Sequence, residues 1–195
     1  MRAAYIKCLP KEIFGENMFN EVLKFWFEEI DPKMWWIADP IFDGRIKDRF
    51  VHLLKQAEKG ELYGWRKEPK GRLAEIIVLD QFSRNIYRNT PKAFSNDAMA
   101  LVLAQEAVRL EVPKLLSATE CTFLLVPYMH SESNKIHEIA EILYRESALP
   151  LSYEFELKHK EIINRFGRYP HRNAILGRIS STEETEFLKQ PGSSF

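Results

Sequence analysis

The feature that most restricts this chain is the spacing of its apolar residues. They recur at intervals of three and four almost throughout, and no segment shows the alternation of a half-buried strand followed by a hairpin turn. After Asp39-Pro40, a capping residue followed by proline at the first helical position, Phe42, Ile46, Phe50, Leu53, Leu54 and Ala57 fall on one helical face. Gly60 follows where a helix end favours a left-handed residue. A second stripe is Ile136, Ile139, Ala140 and Leu143, with Lys135, Glu138, Glu141 and Arg145 on the wet side. A third, Phe155, His159, Ile162 and Phe166, is stopped by Gly167 and Pro170. Ser117 with Glu120 and Ser181 with Glu184 have capping-box spacing. The pattern predicts an all-α fold of about eight or nine helices, each of roughly 8 to 20 residues.

Two segments, 71–88 and 93–110, are apolar nearly all the way round and read as central, buried helices. The second carries Ala93, Ala98, Ala100, Ala104 and Ala107, small enough to let neighbouring helix axes approach. There is no internal repeat of steady period and no long linker. The first amphipathic stretch, Phe19 to Ile30, begins after Met18, and residues 1–17 fit no pattern. The expected organisation is an N-terminal extension over 1–17, one all-α domain over 18–190 and a short tail over 191–195.

Lys and Arg number 28 against 28 Asp and Glu, so no global field draws the chain to nucleic acid or an anionic membrane. Two cysteines, Cys8 and Cys121, cannot form a disulfide framework, and neither has a C-x-x-C partner. The longest apolar run, Phe123 to Met129, is far short of the ~20 residues that span a bilayer. The start of the chain, broken by Lys7 and Pro10, has no secretory apolar core. A soluble protein of the reducing cytoplasm is the expectation.

Function is signalled by polar residues in apolar places. Asp80 and Arg84, four apart, sit among Leu73, Ile76, Ile77 and Tyr87, and Arg88 continues their column. A buried charge must be paired, so these are either an ion pair that registers central helices or the wall of a cleft. Next comes Pro127-Tyr128-Met129-His130-Ser131-Glu132. Pro127 is expected to bend or end its helix, Ser131 to cap a new one starting near Glu132, and His130 to lie at the junction. The third is Arg165-Phe166-Gly167-Arg168-Tyr169-Pro170-His171-Arg172-Asn173, part of a stretch from Lys158 to Arg178 with six Lys or Arg against one acid, Glu161. Helix end, glycine turn and a new helix opening at Pro170 would place Arg and His around free backbone N–H groups, which suits an anion. The plainer alternative is a solvated basic face.

Several chemistries lack their motif. There is no G-x-S-x-G, no G-x-x-x-x-G-K and no G-x-G-x-x-G. His130-x-Glu132 is not followed by the P-C-x-x-C of zinc deaminases, and no histidine pair has H-E-x-x-H spacing. No cofactor and no metal are expected. The aromatics, Trp26, Trp35, Trp36 and Trp65 among them, read as core and inter-helix wedges rather than a base-stacking platform.

The run from Arg72 to Arg88, RLAEIIVLDQFSRNIYR, resembles the core motif of the bacterial domain-of-unknown-function family 924. Val22-Leu23-Lys24-Phe25-Trp26-Phe27, the segment from Pro127 to Glu132, the segment from Arg165 to Asn173 and Leu176-Gly177-Arg178 resemble its other marks, so that the likeness runs from about Met18 to Leu188. The resemblance implies an antiparallel helical array similar to tetratricopeptide-like folds, and no known reaction. It implies functional positions at Asp80, Gln81, Arg84, Asn85, Arg88, His130, Ser131, Glu132, His159, Arg165, Arg168, His171, Arg172 and Asn173. His137 departs from it, standing where relatives often carry Gln.

Three functions follow as expectations. The leading one is a binding protein whose Asp80 orients Arg84, while Arg84, Arg88, Arg165, Arg168 and Arg172 hold a small phosphate- or carboxylate-bearing ligand beside His130 and His171. The second is a hydrolase or transferase with His130 or His171 as general acid or base, oriented by Glu132. The third is a scaffold that docks a protein partner on exposed Trp35, Trp36 or Trp65. Oligomeric state is not legible in the sequence.

Overall fold

The structure, a computed structural model, describes residues 16–194, and among the described residues there are helices and turns but no strand. The extension expected over 1–17 lies outside them, with Cys8, apart from the opening of α1 (Glu16–Lys24), which widens into a π-helical turn, Phe25–Glu29. In α2 (Pro40–Ala57), Asp39 Oδ1 accepts from the backbone N–H groups of Ile41 and Phe42. The six apolar residues of its predicted face are the ones it buries. α3 (Pro69–Ile77), a π-helical turn (Val78–Phe82) and α4 (Ser83–Ile86) run on as one central helix. There follow α5 (Asp97–Arg109), α6 (Ala118–Met129), α7 (Asn134–Ser147), α8 (Pro150–Phe166) and α9 (Thr182–Phe187). Both capping boxes form, Ser117 with Glu120 opening α6 and Ser181 with Glu184 opening α9.

Two helices form the heart of the core. Every residue from Leu73 to Ser83 and from Cys121 to Met129 is buried. α3 packs against α6 and α1, α2 covers α4 and the π turn, α5 lies on α3 and α6, and α7 sits between α6 and α8. Phe25, Trp26, Phe42, Phe50, Phe82 and Phe123 fill the centre in a mixture of stacked and edge-to-face contacts, such as that of Trp26 and Phe123, whose ring centroids are 5.5 Å apart at 86°. Gly71 is required where α3 meets the preceding turn, because a Cβ there would lie 2.1 Å from the Trp65 carbonyl oxygen. Gly167 ends α8 in the left-handed conformation, φ 68°. No described helix is long and apolar enough to cross a membrane.

Four local expectations are corrected. α5 is not buried all round: Ala100, Ala104 and Ala107 face its neighbours, while Val102 is 61% exposed. Its alanines do allow close packing, but on one side only. Pro127 does not end its helix; α6 continues to Met129, because burial on every side outweighs one missing backbone donor. The next helix opens at Asn134 rather than near Glu132, so Ser131 is not its cap, and the expected helix at Pro170 is a single 3-10 turn, Pro170–Arg172.

Candidate functional site

The π turn, the start of α5, the end of α6 and the loop after α8 converge on one polar cluster. A π turn inserts an extra residue into a helix and loosens its backbone bonding. Asp80 sits in it, 1% exposed, and every one of its acceptors is used. His130 Nδ1 lies 2.8 Å from Asp80 Oδ1, Gln81 Nε2 donates to Oδ2 at 2.6 Å, and Arg84 Nη1 donates to the Asp80 carbonyl at 3.1 Å. The Arg84 fork then reaches across to Asp97, the first residue of α5, with bonds of 2.9 and 3.0 Å. Arg172, from the 3-10 turn, shares that carboxylate at 3.3 Å. Its guanidinium is sandwiched by Phe94 and Tyr169, with ring centroids 4.8 and 4.5 Å away.

Beside this cluster opens a cleft of about 390 Å³. Pro91, Phe94, Ala98, Leu101, Pro127 and Leu176 give it an apolar wall, and Asp97, His130, Ser131, Glu132 and Arg172 a polar one. That mixture of a greasy wall and a few converging polar groups is typical of small-molecule sites.

The electrostatics assign protons. Burial pushes the Asp80 carboxyl up, but the Arg84 charge and the bonds from His130 and Gln81 overcome it and hold Asp80 ionised, well below the usual range. Burial, with the Arg84 charge, lowers His130 below its ordinary value, against the pull of Asp80. A neutral His130 facing an ionised Asp80 carries its proton on Nδ1, which leaves Nε2 as a lone pair. Nε2 takes no hydrogen bond from any described residue. Arg172 is depressed by burial and by the neighbouring Arg84 charge, and its Nε is buried without a partner. His171 is lowered to about 4 by burial and by Arg172.

A second layer fixes the turn that carries His130. His137, fully buried, bonds Glu156 Oε1 through Nδ1 at 2.7 Å and the Ser131 carbonyl through Nε2 at 2.9 Å. Tyr169 donates its hydroxyl to the Met129 carbonyl at 2.5 Å. The carbonyls on either side of His130 are therefore both pinned from below, which holds the ring's position.

Of the residues expected at a site, Asp80, Gln81, Arg84, His130, Ser131, Glu132 and Arg172 come together here, with His171 adjoining, 5.5 Å from the Tyr169 ring. The rest are engaged elsewhere. Asn85 and Arg88 both bind Asp43 and tie α4 to α2. Arg165 pairs with Glu183 and Arg168 with Glu184, which docks α9. Asn173 bonds Ser180 and Arg178, and His159 Nδ1 donates to the Phe155 carbonyl. Of the basic stretch, Lys160, Arg165, Arg168, Arg172 and Arg178 each pair with an acid from another segment. Glu132 does not orient a histidine; it accepts from the Tyr169 backbone N–H and pairs with Arg178, while Asp80 orients His130. Sequence reading missed Asp97, which resembles any first-turn helix acid, and Glu156, whose pairing with His137 across 19 positions leaves no local signal. Among the described residues no three His, Cys, Asp or Glu side chains form a metal-holding group.

These motifs can be set beside known proteins. No curated protein matches the sequence. A solved protein of unknown function from Agrobacterium tumefaciens is 32% identical, with a TM-score of 0.84 over 89% of this chain and 97% of that one. Residues 22–192, which include every residue of the cluster, match the family described as bacterial protein of unknown function (DUF924). The chain belongs to that family.

Proposed function

We propose that the cleft binds a small anionic molecule bearing a carboxylate or phosphate. The observation that carries this reading is the arginine pair on Asp97: two guanidinium groups converge on one carboxylate, and Arg172 contributes a single bond to it at 3.3 Å. A buried guanidinium with few acceptors is a costly arrangement for a structural role alone. An anion entering between Arg172 and His130 would supply the missing acceptors, and Phe94 and Leu101 would cover its apolar part.

Thermal shift against inorganic phosphate, succinate and nucleotides tests the reading, with Arg172→Met as control. Methionine keeps the stem between Phe94 and Tyr169, and Asp97 keeps its two bonds from Arg84. A ligand at 100 times its Kd adds about 2.7 kcal/mol, or roughly 5 to 10 °C in a chain of this size. The shift should occur in the parent and vanish in a folded Arg172→Met. An equal shift in both refutes the site. A scaffold in a tetratricopeptide-like array has less support: Trp65 is buried and Trp35 packs 4.8 Å from Phe123, so that Trp36, 62% exposed, is the one largely open tryptophan of the three.

A further inference from the structure

We infer that the cleft is a hydrolytic site in which His130 acts as general base toward water, and that its substrate is a carboxylic ester carrying a second, free carboxylate. The inference rests on the anion-binding reading of the same cleft and adds a reaction to it. Its geometric basis is the Asp80–His130 pair. Asp80 occupies Nδ1 and His130 lines the cleft, so the ring nitrogen left for a ligand is Nε2, with no protein partner among the described residues. A buried carboxylate that fixes the tautomer, and a lone pair left facing a cleft, are what a histidine base needs.

Charge balance selects the substrate. Arg84 and Arg172 are matched by Asp80 and Asp97, and Arg178 by Glu132, so no surplus positive charge answers the two charges of a phosphoryl dianion, whereas the unused donors of Arg172 answer a single carboxylate. Ester hydrolysis needs no further positive charge. Water gives a proton to His130 Nε2 while its oxygen bonds to the carbonyl carbon, and the C=O pair moves onto oxygen. One negative charge appears on the substrate as one positive charge appears on the imidazole. The pair returns, the C–O bond to the alcohol breaks, and the alkoxide takes the proton back from Nε2. The products are an acid and an alcohol, one water is consumed, and His130 is restored. Arg172, stacked and under-bonded, is placed to hold either the oxyanion or the free carboxylate.

The test is release of p-nitrophenol from p-nitrophenyl hydrogen succinate, with p-nitrophenyl acetate and bis(p-nitrophenyl) phosphate alongside. The wild-type protein should prefer the succinyl ester, and a folded His130→Gln should lose about 100-fold or more of kcat/KM. His130→Asn replaces it if that variant does not fold. The rate should rise with pH through a midpoint below the ordinary histidine value of 6.5, since burial and Arg84 outweigh Asp80 and Asp97, and His159 and His171 lie close by. Asp80→Asn, a change at a positioning residue, should slow the reaction and move that midpoint down, which a merely structural role would not do. Equal rates in wild type and His130→Gln, or preference for the phosphodiester, overturn the inference. If succinate still raises Tm but no ester is cleaved, catalysis falls and the binding reading stands. If neither occurs, both fall.

Discussion

Acidification should destabilise this protein well before its carboxylates titrate, because two histidines, one buried and one half-buried, are held uncharged. His159, 5% exposed, is held to about 3 and His171 to about 4, burial being the main cause for both. Their ordinary value is 6.5. A histidine whose folded pKa lies below its unfolded one favours the fold fully above the unfolded value. As pH falls below 6.5 the unfolded chain takes up protons that the native state refuses, at about 1.4 kcal/mol per pH unit for each group. Between pH 7 and pH 5 each should remove about 2 kcal/mol, or about 4 together. That is a large part of the roughly 5–15 kcal/mol of a typical domain. His130, lowered in the same direction, adds to the loss. Urea unfolding at several pH values reads this as a falling midpoint at constant slope. His159→Gln and His171→Gln should each flatten the dependence by about half, whatever they do to stability at pH 7. A midpoint that holds between pH 7 and pH 5 would refute the protonation assignment.

Two other perturbations address the packing. Gly71→Ala puts a methyl 2.1 Å from the Trp65 carbonyl oxygen, where the atoms it meets are backbone rather than the end of a flexible side chain, so it should cost about 3 kcal/mol or more in chemical denaturation. A loss below about 0.5 kcal/mol would mean the contact is looser than it looks. Glu156→Gln should be nearly neutral, because an amide still bonds His137 Nδ1, whereas Glu156→Leu should cost about 1–3 kcal/mol by leaving that nitrogen unsatisfied. Equal losses in the two variants would show that charge, not hydrogen bonding, is what His137 requires.

Helices were the legible part of this chain, and the reason is local. A face such as Phe42 to Ala57 is written in consecutive turns, and a capping box spans four residues. α5 was misjudged because alanine counts as apolar wherever it stands, and only packing shows that Ala104 faces inward while Val102 faces out. At the site, Asp80, Arg84, His130 and Arg172 stood out as polar residues in apolar motifs. Their partners did not. Arg172 meets Asp97 across 75 positions, Arg178 meets Glu132 across 46 and Asp43 answers Arg88 across 45. No periodicity encodes such pairings, so a ligand cradle and a set of interhelical ties read alike in sequence. Tertiary structure sorts them by place, with Arg172 lining the cleft, Arg84 behind it on Asp97, and Arg88, Arg165 and Arg168 in ties to other helices.

The most direct test of the cleft as a ligand site is long-range nitrogen–proton NMR of labelled histidine, titrated with succinate at neutral pH. The free protein should show His130 neutral, protonated at Nδ1 toward Asp80, with an unprotonated Nε2 that shifts as succinate saturates the cleft. A His130 protonated on Nε2 in the free protein, or one whose signals stay fixed while succinate reaches the millimolar range, would contradict the account.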